Sequence, residues 1–156
     1  MESNRILKRI KREVEQLISY NVCVEDQVEI KTIENNECNI IIKNLFDKKP
    51  CEFKISSNHP FKPPKLFIDD KLLNFHHKNT SESFRNSLIK YTGIECFCCE
   101  TILCNNNWSP QFTLKDIIYD IYKYRDARHQ VAIRIIVDVI KRKYLIDDVN
   151  IIEWLY

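Results

Sequence analysis

His59-Pro60-Phe61-Lys62-Pro63-Pro64-Lys65 is the most constrained stretch of this chain. Each proline fixes its φ and removes a backbone donor, so Pro60, Pro63 and Pro64 exclude the segment from the interior of a helix or a sheet. The reading is a stiff, extended passage between two strands. Phe61 stands between these constraints with little room to turn inward. Two uses fit an aromatic placed there: an exposed anchor for a partner protein, or a ring that closes the edge of the core.

Upstream of this passage the pattern is strand-like. Val28–Ile33, Cys38–Leu45 and Cys51–Ser57 alternate apolar and polar residues, with the polar turn Glu34-Asn35-Asn36-Glu37 after the first. Lys65–Ile68 supplies a fourth strand just past the prolines. Before the strands, Ile6, Leu7, Ile10, Val14, Leu17 and Ile18 recur at helical spacing behind Ser3, which predicts an amphipathic helix over Ser3–Ile18. Downstream, Asp69–Thr92 is irregular apart from a short helix at Ser83–Tyr91, and Glu95–Cys104 is rich in cysteine. Thr113 then caps a helix with the stripe Leu114, Ile117, Ile118, Ile121 and Tyr122. A second helix is predicted over Asp126–Tyr144, and Val149–Tyr156 reads as a last short one. A helix, a four-stranded antiparallel meander and then helices make an α+β arrangement in a single domain, residues 1–156.

Composition narrows the function classes. Lys and Arg number 24 against 22 Asp and Glu, a balance that argues against general nucleic-acid binding. The local exception is Arg5, Lys8, Arg9, Lys11 and Arg12, readable as a solvated helix face or as a docking surface for an acidic partner. The charged opening MESNRILKRI is unlike a signal peptide, and no apolar run approaches the ~18 residues of a membrane span. An intracellular protein, cytoplasmic or nuclear, is the expectation. There are seven cysteines, and four of them fall between Cys96 and Cys104, so that cluster is read as reactive thiols, a metal site or buried apolar residues. Cys23, Cys38 and Cys51 read as small buried side chains.

Trp108-Ser109-Pro110, followed by a Thr-Leu helix start, is the second informative motif. With the proline passage and the helix Leu7-Lys8-Arg9-Ile10-Lys11-Arg12-Glu13-Val14, in this order, it resembles the ubiquitin-conjugating enzyme family over roughly residues 6 to 122. That family typically carries tyrosine where His59 stands. The resemblance implies the ubiquitin-conjugating fold and a cysteine that holds ubiquitin, or a ubiquitin-like protein, as a thioester before passing it to a lysine. A thiolate suits that task because it is both a strong nucleophile and a competent leaving group. Cys99-Glu100-Thr101-Ile102-Leu103 looks like the family's active stretch and makes Cys99 the nucleophile. Gly93-Ile94-Glu95-Cys96 offers a competing register, with Cys96 in that role. His77-Lys78-Asn79 is similar to the family's His-Pro-Asn motif, which makes Asn79 the donor to the oxyanion.

By the same resemblance, Lys8, Arg9 and Arg12 meet an activating enzyme, while Phe61, Ser109 and Pro110 meet a ubiquitin ligase. No cofactor is implied, since ATP is used by the activating enzyme. The expected partners are proteins, with no nucleic acid and no membrane, and the expected state is a monomer. Departures from the family pattern are Lys78 in place of proline, Thr101 in place of an acid, and about a dozen extra residues between Asn79 and the cysteines. They open an alternative: a catalytically inactive relative that binds ubiquitin or a partner. Zinc on Cys96, Cys98, Cys99 and Cys104 with His76 and His77 is the third reading, and the spacing is unlike paired C-x-x-C knuckles. The expectation is no metal.

Overall fold

Alternation of apolar and polar residues builds a sheet, and helical periodicity builds what flanks it in sequence. The computed structural model describes residues 3–32, 37–73 and 81–144. Helix α1 (Ser3–Ser19) leads into a short 3₁₀ turn (Glu25–Gln27) and then into strands β1 (Val28–Thr32), β2 (Cys38–Phe46), β3 (Lys49–Ile55), β4 (Lys65–Ile68) and β5 (Lys71–Leu72). Helices α2 (Glu82–Thr92), α3 (Phe97–Glu100) and α4 (Leu114–Tyr144) follow. The class is α+β. The sheet is antiparallel throughout, in the order β1-β2-β3-β4-β5.

Three expectations are corrected here. The meander has five strands, not four: Lys71 and Leu72 pair with Ile68 and Phe67 through a tight turn. Asp69 and Asp70 both adopt positive φ there, 54° and 60°, as a two-residue turn between antiparallel strands requires. A two-residue strand holds too few alternating positions to be seen by periodicity. Second, the proline segment is not extended throughout. The amides of Phe61 and Lys62 both donate to the Asn58 carbonyl, at 2.8 and 3.2 Å, so the chain turns before Pro63-Pro64. The His59–Pro60 peptide is cis. Third, the two helices predicted after Thr113 are one helix of 31 residues. No glycine or proline lies between Leu114 and Tyr144, so nothing stops it. The predicted Val149–Tyr156 helix lies outside the described residues.

The described chain divides into two compact units. The first contains Met1–Phe75 and Cys98–Asp120, and the second His76–Phe97 and Ile121–Tyr156. In the first, Ile10, Val14 and Leu17 of α1 are buried with Ile40 and Ile42 of β2, Phe53 and Ile55 of β3, Leu66 of β4, and Leu114 and Ile117 of α4. These are the inward positions of a 3.6 and a 2.0 period. Burying each such side chain contributes about 1.5–3 kcal/mol. Cys23, Cys38 and Cys51 are buried in this unit, and burial raises all three thiols above their ordinary value. In the second unit Phe97 packs on Tyr124, ring centroids 4.6 Å apart, and the Arg134 guanidinium sits 4.7 Å from the Tyr91 ring.

Candidate active site

The cysteine loop is built from consecutive turns pinned by side chains. Cys99 is exposed and Cys98 half-buried, with their sulfurs 3.8 Å apart. Asn107 Nδ2 donates to the Cys99 carbonyl at 2.6 Å and to that of Thr101 at 3.2 Å, which ties the end of α3 to the Asn-rich loop. Thr101 is buried, and its hydroxyl donates to Asp120 Oδ2 at 2.6 Å. The Ile102 amide donates to the same oxygen at 3.1 Å. The Asn107 and Trp108 amides both donate to the Cys104 carbonyl at 2.9 Å. Chain leaving Cys99 is therefore held by hydrogen bonds up to the tryptophan.

A second set of contacts joins α1, the proline turn and the tryptophan loop. Glu13 is 4% exposed and accepts from Arg9 Nε at 2.6 Å and from the Leu114 amide at 3.0 Å. The second bond satisfies one of the orphan donors at the start of α4. Thr113 caps the same end: its amide and hydroxyl both donate to Asp116 Oδ2 at 2.8 Å. Arg9 Nη2 continues to the carbonyls of Pro110 (2.7 Å) and Phe112 (3.1 Å). His59, 4% exposed, lies with Nε2 3.9 Å from Glu13 Oε1, and neither ring nitrogen has a hydrogen-bond partner among the described residues. Burial alone would raise the Glu13 carboxyl, but the facing His59, the Arg9 guanidinium and the Leu114 amide outweigh it and hold it below its ordinary value. At 3.9 Å the imidazole is too far for a hydrogen bond, so Arg9 and the amide carry the lowering. Trp108 Nε1 donates to the Pro60 carbonyl at 2.7 Å, and the indole lies tilted against His59 and Phe112, ring centroids 6.2 and 5.8 Å away.

No family profile, curated protein or solved structure matches this chain. The site therefore rests on its own geometry. Of the residues singled out in the sequence, Cys99, Phe61, Pro110, Lys8 and Arg12 are exposed, and Ser109 and Arg9 half-buried. Phe61 is 79% exposed, so its ring does not close the edge of the core. Lys8, Arg9 and Arg12 line an open groove of about 500 Å³ with Arg5, Gln16 and Thr113. Cys96 is half-buried and belongs to the second unit. Asn79 lies outside the described residues, as do His76 and His77. Asn107 and Asp120 were not singled out from the sequence, Glu13 entered only as part of the first helix, and His59 and Thr101 were noted only as departures from the family pattern. The Arg9–Glu13 spacing of four was a signal for Glu13; Asn107 reaches back to Cys99 and Thr101, and Thr101 and Asp120 pair 19 residues apart, which no helical or strand period marks.

Proposed function

We propose that this chain has the ubiquitin-conjugating fold and carries ubiquitin, or a ubiquitin-like protein, as a thioester on Cys99. The observation that supports it most is the 2.7 Å bond from Trp108 Nε1 to the Pro60 carbonyl. Two of the three stretches that carry the family resemblance meet there, through residues 48 apart in sequence. Such loops, one presenting exposed Phe61 and the other Pro110, suit a ligase-binding surface. Cys99 suits the nucleophile because it is exposed near the end of α3, where its carbonyl is tied down by Asn107, whereas Cys23, Cys38 and Cys51 are buried. Gly93, which suggested the Cys96 register, is accounted for otherwise: it ends α2 in the left-handed conformation at φ 72°.

In the reaction, the Cys99 thiolate attacks the modifier's thioester on the activating enzyme and expels that enzyme's thiolate. A lysine amine then attacks the new thioester, and Cys99 leaves as an isopeptide bond forms. Asn79 is the proposed donor to the oxyanion. The basic groove of α1 is the proposed dock of the activating enzyme.

The test is a charging assay with an activating enzyme, ATP and ubiquitin on reducing and non-reducing gels. A reductant-sensitive adduct present in wild type and Cys96→Ala but absent from Cys99→Ala is expected. Loss in Cys96→Ala instead would move the nucleophile to that residue. No adduct in folded wild type, beside a working control enzyme, would overturn conjugation and favour a non-catalytic binding module.

A further inference from the structure

We propose that Cys98 and Cys99 form an exchangeable binding site for a thiophilic closed-shell cation such as Zn²⁺. Their sulfurs stand 3.8 Å apart. In a tetrahedral site with metal–sulfur bonds of about 2.3 Å, two thiolates are separated by roughly 3.8 Å. The pair thus already has the spacing an ion imposes. Both thiols reach solvent, Cys99 being exposed and Cys98 half-buried, and Asn107 holds the Cys99 carbonyl in place at 2.6 Å. The pair is not poised to be a disulfide instead. Bridged cysteines usually have Cα atoms about 4.4–6.8 Å apart, and neighbours across a trans peptide stand about 3.8 Å apart, so a bridge here would be strained. In sequence, Cys96 precedes the pair by two residues and Glu100 follows it directly, so further donors of suitable chemistry lie in the same stretch. Water fills any position they leave.

This is not the paired-knuckle site whose spacing the sequence lacks. It is a solvent-accessible dithiol on the short helix α3, suited to a metal that comes and goes. Binding takes the ion and releases the two thiol protons, Zn²⁺ plus two thiols giving a bis-thiolate and two protons, so affinity falls as pH falls. One consequence rests on the thioester reading above: an ion on Cys99 occupies the electron pair that would attack the modifier, and the metal-bound form cannot be charged.

The experiment is equilibrium dialysis of the reduced, full-length protein against Zn²⁺, with circular dichroism to show that each variant is folded. Wild type and Cys104→Ser are expected to bind about one ion per chain through this pair, while Cys98→Ser and Cys99→Ser each bind at least about tenfold more weakly. Equal binding by wild type and the double variant Cys98→Ser/Cys99→Ser would overturn the site. Charging is then measured with and without Zn²⁺. Zinc bound at the pair with no charging under any condition sinks the thioester reading and supports the metal site. Charging in a chain that takes up no zinc does the reverse.

Discussion

Glu13 is the side chain on which most contacts converge: Arg9, the Leu114 amide and, at longer range, His59. Glu13→Gln keeps the shape and removes the charge, and is expected to cost about 1.5–3 kcal/mol at neutral pH, read from the urea midpoint. The pH dependence has a definite sign. A carboxyl held below its ordinary value when folded binds fewer protons folded than unfolded. Its contribution is complete above the unfolded value and is lost as pH falls through the lower folded one. The stability gap between wild type and Glu13→Gln should therefore close below the ordinary carboxylate range; a gap constant down to acid would show that the charge is not what matters. From the sequence Glu13 was one more polar residue on a basic helix. Its role depends on Leu114, 101 residues away, which no local pattern encodes.

Elements were legible where their signals are local. Strand β4 coincides with its expected range, and α2 differs from the expected helix by one residue at each end. Ser81 accepts from the Phe84 amide at the start of α2, and Gly93 donates to the Ile89 carbonyl at its end. Among the described residues, none beyond its chain neighbours comes within 4 Å of a Cβ added at Gly93, so Gly93→Ala should cost only the left-handed backbone penalty, about 1–2 kcal/mol. Gly93→Asn should cost less. Thermal unfolding of the two variants checks this order, and equal losses would mean that the φ of Gly93 is not the constraint. The loop pair is a different case. Trp108→Phe keeps most of the ring and deletes the donor to Pro60, leaving that carbonyl unpaired at about 1–3 kcal/mol. A change of tryptophan to phenylalanine without loss of stability would show that the two motifs are not held together by this bond.

For the molecule as a whole, the groove on α1 sets the strategy for testing partners. Arg9 is tied to Glu13, Pro110 and Phe112, so reversing its charge would damage the fold along with any docking. Lys8 and Arg12 are exposed on the same groove. Lys8→Glu/Arg12→Glu should leave the unfolding free energy within about 0.5 kcal/mol of wild type while slowing charging, and Phe61→Ala should slow only ligase-dependent transfer. Unchanged charging in the double reversal would remove the groove from the activating-enzyme interface. Among the described residues no helix is long and apolar enough to cross a membrane, as the hydropathy of the chain had implied. The α+β class, the order of elements and the buried faces were written in the sequence, because periodicity, caps and prolines act within a few residues. The fifth strand, the turn ahead of Pro63, the unbroken α4, the Thr101–Asp120 bond and the Leu114–Glu13 bond needed the folded chain. Each depends on a short pairing, on the absence of a stop, or on groups that only tertiary structure brings within hydrogen-bond reach.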